Sequence, residues 1–354
     1  MSRNLRGLSA RKGVADGLYD EVVRAAGTGE ASTDERLISV AGDFMTGHAA
    51  VLGTSSFYDF LRKDHLGKKV FVCDGTACLT SGRQEGLRRS LAENYADHEI
   101  GVVTCLGHCH SNDAFMVNGE IRVSGGDGTP PAMRTGSNAD RPALLVPTGD
   151  LKEYYSLAEK WRSDTGSALK ELELSGLRGR GGAGFPYHLK VRSSRDARAD
   201  RKYIVCNADE GDPGAFSDKW LLEERPQAVL FGMLMTGIIT GADTGVVYIR
   251  GEYPLAVRKT REAVRQLEEA GITEGSSGVA SFSFRFHVVE GSGAYICGEE
   301  TALIESLEGK RGEPRLRPPF PPSEGFRRLP TSVNNVESFS AVPSILKHGA
   351  DWWK

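Results

Sequence analysis

The sequence predicts an α/β protein built from more than one domain. Three observations carry this prediction. The second half alternates strand-like and helix-like segments, the pattern of a sheet covered by helices. A shorter segment, residues 65–123, holds its own strand, helix, strand and hairpin. The chain has 354 residues, too many for one ordinary core.

The elements follow in chain order. Residues 15–26 read as a helix, and so does the stretch from Glu35 to Leu61, with breaks near Gly47 and Gly53. Val70–Val72 is a short strand ending at Cys73. Leu87–Tyr95 is a helix, and Ile100–Thr104 a second strand ending at Cys105. Ala114–Val117 and Ile121–Val123 flank Asn118-Gly119, a dipeptide that accepts positive φ at both central turn positions, so this is a hairpin. Residues 124–147 are rich in Gly, Pro, Ser and Asn and read as a linker. A helix follows at Leu151–Trp161, with Leu151, Tyr154, Tyr155, Ala158 and Trp161 on one face. Ala168–Leu174 is helical. Lys202–Cys206 and Val246–Ile249 are strands. Pro254 opens a helix to Ala270 that Gly271 stops. Phe282, Phe284, Phe286 and Val288 alternate with polar residues, as in a half-buried strand. Glu299–Leu307 is the next helix.

Composition narrows the function. Hydrophobic residues are 39% and charged residues 26%, ordinary for a soluble globular protein. The net charge of −3 argues against a nucleic-acid partner. The longest apolar stretch, Ala228–Ala242, is broken by Thr236, Gly237, Thr240 and Gly241. It is too short to span a bilayer and reads as a buried helix, so no direct membrane insertion is expected. The N-terminus lacks an apolar signal segment, and six cysteines in such a chain point to reduced thiols in the cytoplasm. The 43 glycines come in bursts, which suggests loops that cradle a ligand.

Cys73, Cys78, Cys105 and Cys109 form a C-x4-C, 26-residue, C-x3-C pattern, each pair following a strand. Adjacent strands of one sheet would bring both loops to one edge and converge four thiolates. Gly75 and Gly107 let the backbone approach and offer N–H groups to sulfur. Such a set suits a 2Fe–2S cluster first and structural zinc second, since zinc pairs are more often C-x2-C. His108 and His110 read as solvent-facing loop residues, and Cys206 and Cys297 as core residues. Further on, Gly179, Gly181 and Gly184 give a formal G-x-G-x-x-G, weak by itself because a helical rather than strand-like segment precedes it. Arg178, Arg180 and Lys190 add positive charge near these glycines, and Phe185-Pro186 stiffens the exit.

Val72-Cys73-Asp-Gly-Thr-Ala-Cys78 and Cys105-Leu-Gly-His-Cys109 resemble the thioredoxin-like 2Fe–2S subunits of NADH dehydrogenases. The helical stretch before them, with Ser56-Phe57-Tyr58, is similar to that family's lead-in. Leu177–Pro186 resembles the flavin-binding subunit of respiratory NADH dehydrogenases. The likeness continues at Asn207-Ala-Asp209-Glu210-Gly-Asp212-Pro213-Gly214-Ala-Phe216 and at Gly293-Ala-Tyr295-Ile-Cys-Gly298-Glu299-Glu300-Thr301. It recurs at Pro314-Arg-Leu-Arg317-Pro-Pro-Phe320-Pro and Thr331-Ser-Val-Asn334-Asn335-Val-Glu. The fusion of both parts on one chain is most similar to diaphorase subunits of NAD-reducing hydrogenases and NAD-dependent formate dehydrogenases.

The resemblance implies a helical lead-in at 1–64, a thioredoxin-like 2Fe–2S domain at 65–123, a linker at 124–147 and a Rossmann-like FMN- and NADH-binding domain at 148–354. The family's ubiquitin-like and 4Fe–4S domains would be missing after Lys354. The cluster ligands would be Cys73, Cys78, Cys105 and Cys109. FMN would be held by Gly179, Arg180, Gly182 and Lys190, with Gly181 and Gly184 in the same loop. Asn207, Asp209, Glu210, Gly298, Glu299, Asn334 and Asn335 would complete the flavin site. NADH would meet Phe185, Asp212, Tyr295, Glu300, Arg317 and Phe320, with Glu300 near the nicotinamide. No catalytic side chain is implied, because the cofactors do the chemistry. Read singly, Glu299 and Glu300 also suit helix capping. Val191 stands where the family usually carries Trp, which would alter one wall of the NADH pocket.

The implied function is a diaphorase subunit, NADH-oxidising or NAD-reducing, working with other subunits of a dehydrogenase or hydrogenase complex. It would be cytoplasmic, free or peripheral to a membrane complex. Two rivals stay open on the residues alone: a truncated 2Fe–2S carrier or assembly module without a working flavin site, and a zinc-stabilised interaction protein.

Overall fold

A computed structural model of the chain describes residues 18–26, 33–133, 144, 150–273 and 282–354. The first three residues of the expected helix at 15–26 and most of the expected linker (134–143 and 145–147) lie outside the described residues.

The chain begins with helices α1 (Leu18–Ala26), α2 (Thr33–Asp43) and α3 (His48–Ser55), then a single 3-10 turn at Asp59–Leu61. The expected break falls at Gly47, the residue before α3. Gly53 does not break the chain but sits inside α3, where an interior glycine costs only about 1 kcal/mol.

The first sheet contains β1 (Val70–Cys73), β2 (Ile100–Val103), β3 (Ala114–Val117) and β4 (Glu120–Val123), in the order β2-β1-β3-β4. β1 and β2 are parallel, with Cys73 opposite Val103. Helices α4 (Thr76–Ser81) and α5 (Gln84–Leu91) make the crossover between them. α5 starts three residues before the expected Leu87 and ends at Leu91, because Gln84, Leu87 and Leu91 form its buried face. The hairpin turn has φ 51° at Asn118 and 75° at Gly119, as its sequence requires.

The second unit opens with α6 (Leu151–Arg162), α7 (Thr165–Leu174) and α8 (Tyr187–Asp196). Asp150 and Asp164 cap the first two, accepting from the Glu153 and Ser167 N–H groups at 2.8 and 3.0 Å. Four strands follow: β5 (Tyr203–Ala208), β6 (Thr244–Ile249), β7 (Arg285–Glu290) and β8 (Thr331–Asn335). All pairs are parallel, in the order β7-β6-β5-β8. Between and after them lie α9 (Ser217–Glu224), α10 (Pro226–Thr240), α11 (Pro254–Glu269), α12 (Glu300–Leu307), α13 (Pro321–Glu324), α14 (Val336–His348) and α15 (Ala350–Trp353). The expected strand at 282–288 begins only at Arg285. Phe284 is buried instead, its ring filling the space that Cβ atoms on Gly237 and Gly245 would need.

Alternation in the strands builds two layers. Ile204, Cys206, Ala208, Val247 and Ile249 face one side, under α10 and α14. Tyr203, Val205, Val246, Tyr248 and Val333 face the other, against Leu303 and Ile304 of α12. The lead-in helices complete that second layer: Leu18, Tyr19, Val22, Leu37, Val40 and Val51 share its core. Tyr58 donates to the Lys310 carbonyl at 2.7 Å, and Tyr19 donates to Ser292 Oγ at 2.9 Å. α10 is buried almost all round, as its apolar stretch predicts. Among the described residues no helix is long and apolar enough to cross a membrane.

Candidate functional site

The four cysteines meet at the edge of the first sheet. β1 delivers Cys73, and α4 carries Cys78. The loop after β2 carries Cys105 and Cys109. The thiols form a row, Cys78–Cys73–Cys105–Cys109, each in side-chain contact with the next; Cys105 Sγ and Cys109 Sγ are 3.4 Å apart. Backbone N–H groups of Gly75 and Leu106 face Cys73, that of Gly107 faces Cys105, and that of Gly214 donates to Cys109 Sγ at 3.1 Å. The neighbouring Cys105 thiol, then burial, pushes the Cys109 thiol far up. Among the described residues no three His, Cys, Asp or Glu side chains converge on a single ion position. Four thiols with backbone N–H donors are the residue types that would hold an iron–sulfur cluster. Cys206 and Cys297 are buried core residues, as expected.

His108 departs from expectation. It is tucked against the second unit, its Nδ1 buried without a partner, and burial, then Lys219, lowers its pKa to about 3. It is not a solvent-facing loop residue. His110 is exposed and lies against the Phe216 ring at 5.5 Å.

The other candidates gather at the carboxyl ends of β5 and β8. The glycine loop closes on itself, with Gly179 N–H donating to the Phe185 carbonyl at 2.8 Å. It is pinned to α14, where Arg180 N–H donates to Ser338 Oγ at 2.9 Å. A Cβ on Gly181 would stand 3.2 Å from Asn335 Cβ, and Gly182 has φ +101° facing open space. Asn207 Nδ2 donates to the Gly298 carbonyl at 2.8 Å, and a Cβ on Gly298 would press on the Asp209 carbonyl at 3.1 Å. Burial raises the Asp209 carboxyl to about 7, against the pull of Arg250.

Charges at the mouth form one network. Lys190 Nζ lies 3.1 Å from Glu300 Oε2 and 2.9 Å from the Val333 carbonyl. Arg317 reaches Glu300 Oε1 and Glu299 Oε1, both at 3.2 Å. Glu299 also caps α12, accepting from Thr301 N and Ala302 N at 2.9 Å. Glu210 accepts from Asp218 N and Lys219 N at 3.1 Å at the start of α9, and Asn335 accepts from Glu337 N at 2.9 Å at the start of α14. These three therefore fix helix ends. Asn334 is buried on Ser332. Asp212 accepts from Tyr295 OH at 2.6 Å. Phe185, Tyr295 and Phe320 are exposed at the mouth, and among the described residues make no ring contact with one another. Val191 is fully buried in the core, so its departure from Trp falls on packing and not on the pocket wall.

Sequence reasoning missed Arg250 and Glu252, which follow β6. Both are nearly fully buried, and they pair at 3.0 Å. The available signal was two charges directly after a buried strand, at the carboxyl edge. Asp218 was missed too; it accepts from Asn335 Nδ2, and burial pushes its carboxyl well up.

Comparisons with known proteins show what the chain is similar to. Residues 172–344 match the family model described as the Nuo51 FMN-binding domain. The chain is 36% identical over 342 residues to the NAD-reducing hydrogenase HoxS subunit alpha of Cupriavidus necator, covering 85% of this chain and 57% of that protein. It is 46% identical over 203 residues to the NADP-reducing hydrogenase subunit HndC of Solidesulfovibrio fructosivorans, covering 57% of this chain and 41% of that one. It is 44% identical over 187 residues to the mitochondrial NADH dehydrogenase (ubiquinone) flavoprotein 1 of Dictyostelium discoideum, with 52% and 39% covered. The solved structure of an NAD+-reducing NiFe hydrogenase in the H2-reduced state superposes with a TM-score of 0.80 at 28% identity, covering 96% of this chain and 62% of that chain. The chain thus spans about half the length of the curated relatives it matches.

Proposed function

We propose, from the premise that residues 172–344 belong to the Nuo51 FMN-binding domain family, that this chain is an oxidoreductase flavoprotein subunit that binds FMN, NAD(H) and a 2Fe–2S cluster. The observation that carries the reading is the seating of the glycine loop. It lies at the carboxyl ends of β5 and β8, where the strand order reverses and open α/β sheets bind ligands.

The residues present fit FMN. Gly181 and Gly298 stand where a Cβ would crowd Asn335 and Asp209, so backbone lines the cradle there. The loop N–H groups and Arg180 would meet the phosphate. Asn207, Asp209 and Asn334 would meet hydroxyls and the ring edge. Glu210, Glu299 and Asn335 hold α9, α12 and α14 in register around them. Four thiols with N–H donors fit a 2Fe–2S cluster. When bound, FMN supplies a ring that takes a hydride and releases electrons singly, and the cluster a one-electron acceptor.

The rest is positioning. Glu300 and Arg317, now paired to each other, can exchange that pairing for ribose hydroxyls and phosphate of NADH. Phe185, Tyr295 and Phe320 offer exposed faces to the nucleotide rings. No side-chain base is needed, because the bound cofactors would supply the chemistry. The loop after β5 would join both centres: Asp209 and Asp212 would meet the nucleotides, and Gly214 N–H ends on Cys109. The other half-reaction falls to further subunits of a dehydrogenase or hydrogenase complex. Six free thiols suit a cytoplasmic setting, free or peripheral to a membrane complex.

The test is the anaerobic visible spectrum of purified chain before and after NADH. Flavin bleaching with partial loss of cluster absorbance supports the reading. Cluster absorbance with no flavin and no NADH response leaves a 2Fe–2S carrier, and zinc without iron leaves an interaction module.

A further inference from the structure

Arg250 follows β6 at the carboxyl edge of the second sheet and is 4% exposed. Its guanidinium divides between two loops. Nη2 donates to the Thr104 carbonyl at 2.9 Å, and Nη1 donates to the Glu210 carbonyl. Thr104 directly precedes Cys105. Glu210 belongs to the loop that carries Asp209 and Asp212 and whose Gly214 N–H meets Cys109 Sγ. One side chain therefore ties the cysteine loop to the nucleotide loop.

The rest of the guanidinium is also engaged. Nε and Nη2 face Glu252 at 3.1 and 3.0 Å, and the group lies 5.0 Å from the centre of the Tyr253 ring. Tyr253 OH shares the Glu210 carbonyl at 3.1 Å. Tyr253 and the Lys219 stem fill the space over Gly107. Lys219, the other buried cation here, is paired with Glu223 at 3.1 Å and donates to neither loop's carbonyls. Arg250 is thus the buried cation bonded to both loops, one of its bonds ending on the residue before Cys105. A cluster that gains an electron gains negative charge, and a fixed cation beside it in a low-dielectric site stabilises that state.

We propose that Arg250 is a positioning residue that seats the four-cysteine centre against the nucleotide pocket and raises the reduction potential of its cluster. Glu252 moderates the effect by offsetting part of the charge. The proposal rests on the 2Fe–2S reading above.

The test is an EPR-monitored redox titration of the purified full chain with its cluster assembled, for wild type, Arg250→Gln, Arg250→Lys and Glu252→Gln. The cluster of Arg250→Gln shifts to a lower midpoint potential. Glu252→Gln, nearly isosteric and still able to accept from Arg250, shifts to a higher one. Arg250→Lys keeps the charge but loses the two-armed fork, so its potential lies nearer wild type while its g-values change. Opposite shifts from the two neutral variants are not produced by mere loosening. Equal potentials in wild type and Glu252→Gln overturn the proposal even if Arg250→Gln does not fold. Shifts of the same sign in both also overturn it. A wild-type chain that assembles no EPR-active cluster overturns the underlying reading instead, and the proposal with it.

Discussion

The Gly214 N–H donates to the Cys109 sulfur across 3.1 Å, although the two residues are 105 positions apart. The same loop carries Asp212, which holds Tyr295 at the pocket mouth. The two candidate cofactor sites are therefore adjacent walls of one structure and not separate modules on a tether.

Removing a thiol should empty one site and spare the other. Cys109→Ser is expected to reduce iron and acid-labile sulfide to background while bound flavin stays at the wild-type level. Metal analysis and released-flavin fluorescence on the same preparation check this. Iron retained at the wild-type level would remove Cys109 from the ligand set.

Gly107 packs directly against Tyr253 and the Lys219 stem of the second unit. Its φ is +68°, and a Cβ would lie 2.5 Å from Tyr253 Cε1. Gly107→Ala should therefore combine backbone strain with overpacking and cost about 2–4 kcal/mol. Denaturant unfolding gives the number; a variant as stable as wild type would show that the contact yields freely.

Glu300 binds both Lys190 and Arg317. Glu300→Gln should keep FMN but raise KM for NADH by about tenfold, the loss of one charged hydrogen bond. Steady-state kinetics with a dye acceptor, alongside flavin content, separates the two effects. Unchanged kinetics would remove Glu300 from the nucleotide site.

Asp209 should leave a mark on stability against pH. Burial raises its folded pKa to about 7, above the unfolded value of about 3.9. Between those values the folded state holds the extra proton. Its contribution is thus fully present below about pH 4 and is lost as pH rises towards 7. Asp209→Asn, which cannot ionise, should flatten this fall by a few kcal/mol between about pH 4 and 7. Unfolding midpoints across that range, in wild type and variant without added flavin, decide it. Parallel curves would contradict the burial of this carboxyl.

Much of the fold was legible locally. Asn118-Gly119 specified a hairpin because few dipeptides accept two positive φ values. The two cysteine pairs marked one sheet edge because each followed an apolar strand, and parallel pairing of β1 with β2 brought them together. The stop at Gly271 follows from residue chemistry alone. Other features were not legible. Phe282 to Val288 has perfect strand alternation, yet Phe284 is drawn into a notch between Gly237 and Gly245, 47 and 39 residues away in sequence. His108 reads as a loop residue until the second unit covers it.

The sequence by itself determined the element types, the four-cysteine pattern and the glycine loop, because each depends on backbone preference or spacing within a few tens of residues. Only the tertiary structure decided that the lead-in helices form the second layer of the second sheet. It also decided that Arg250 links Thr104 to Glu210. Those facts depend on which distant surfaces exclude water from one another. Burial and hydrogen bonding between remote segments leave no local period for a sequence to display.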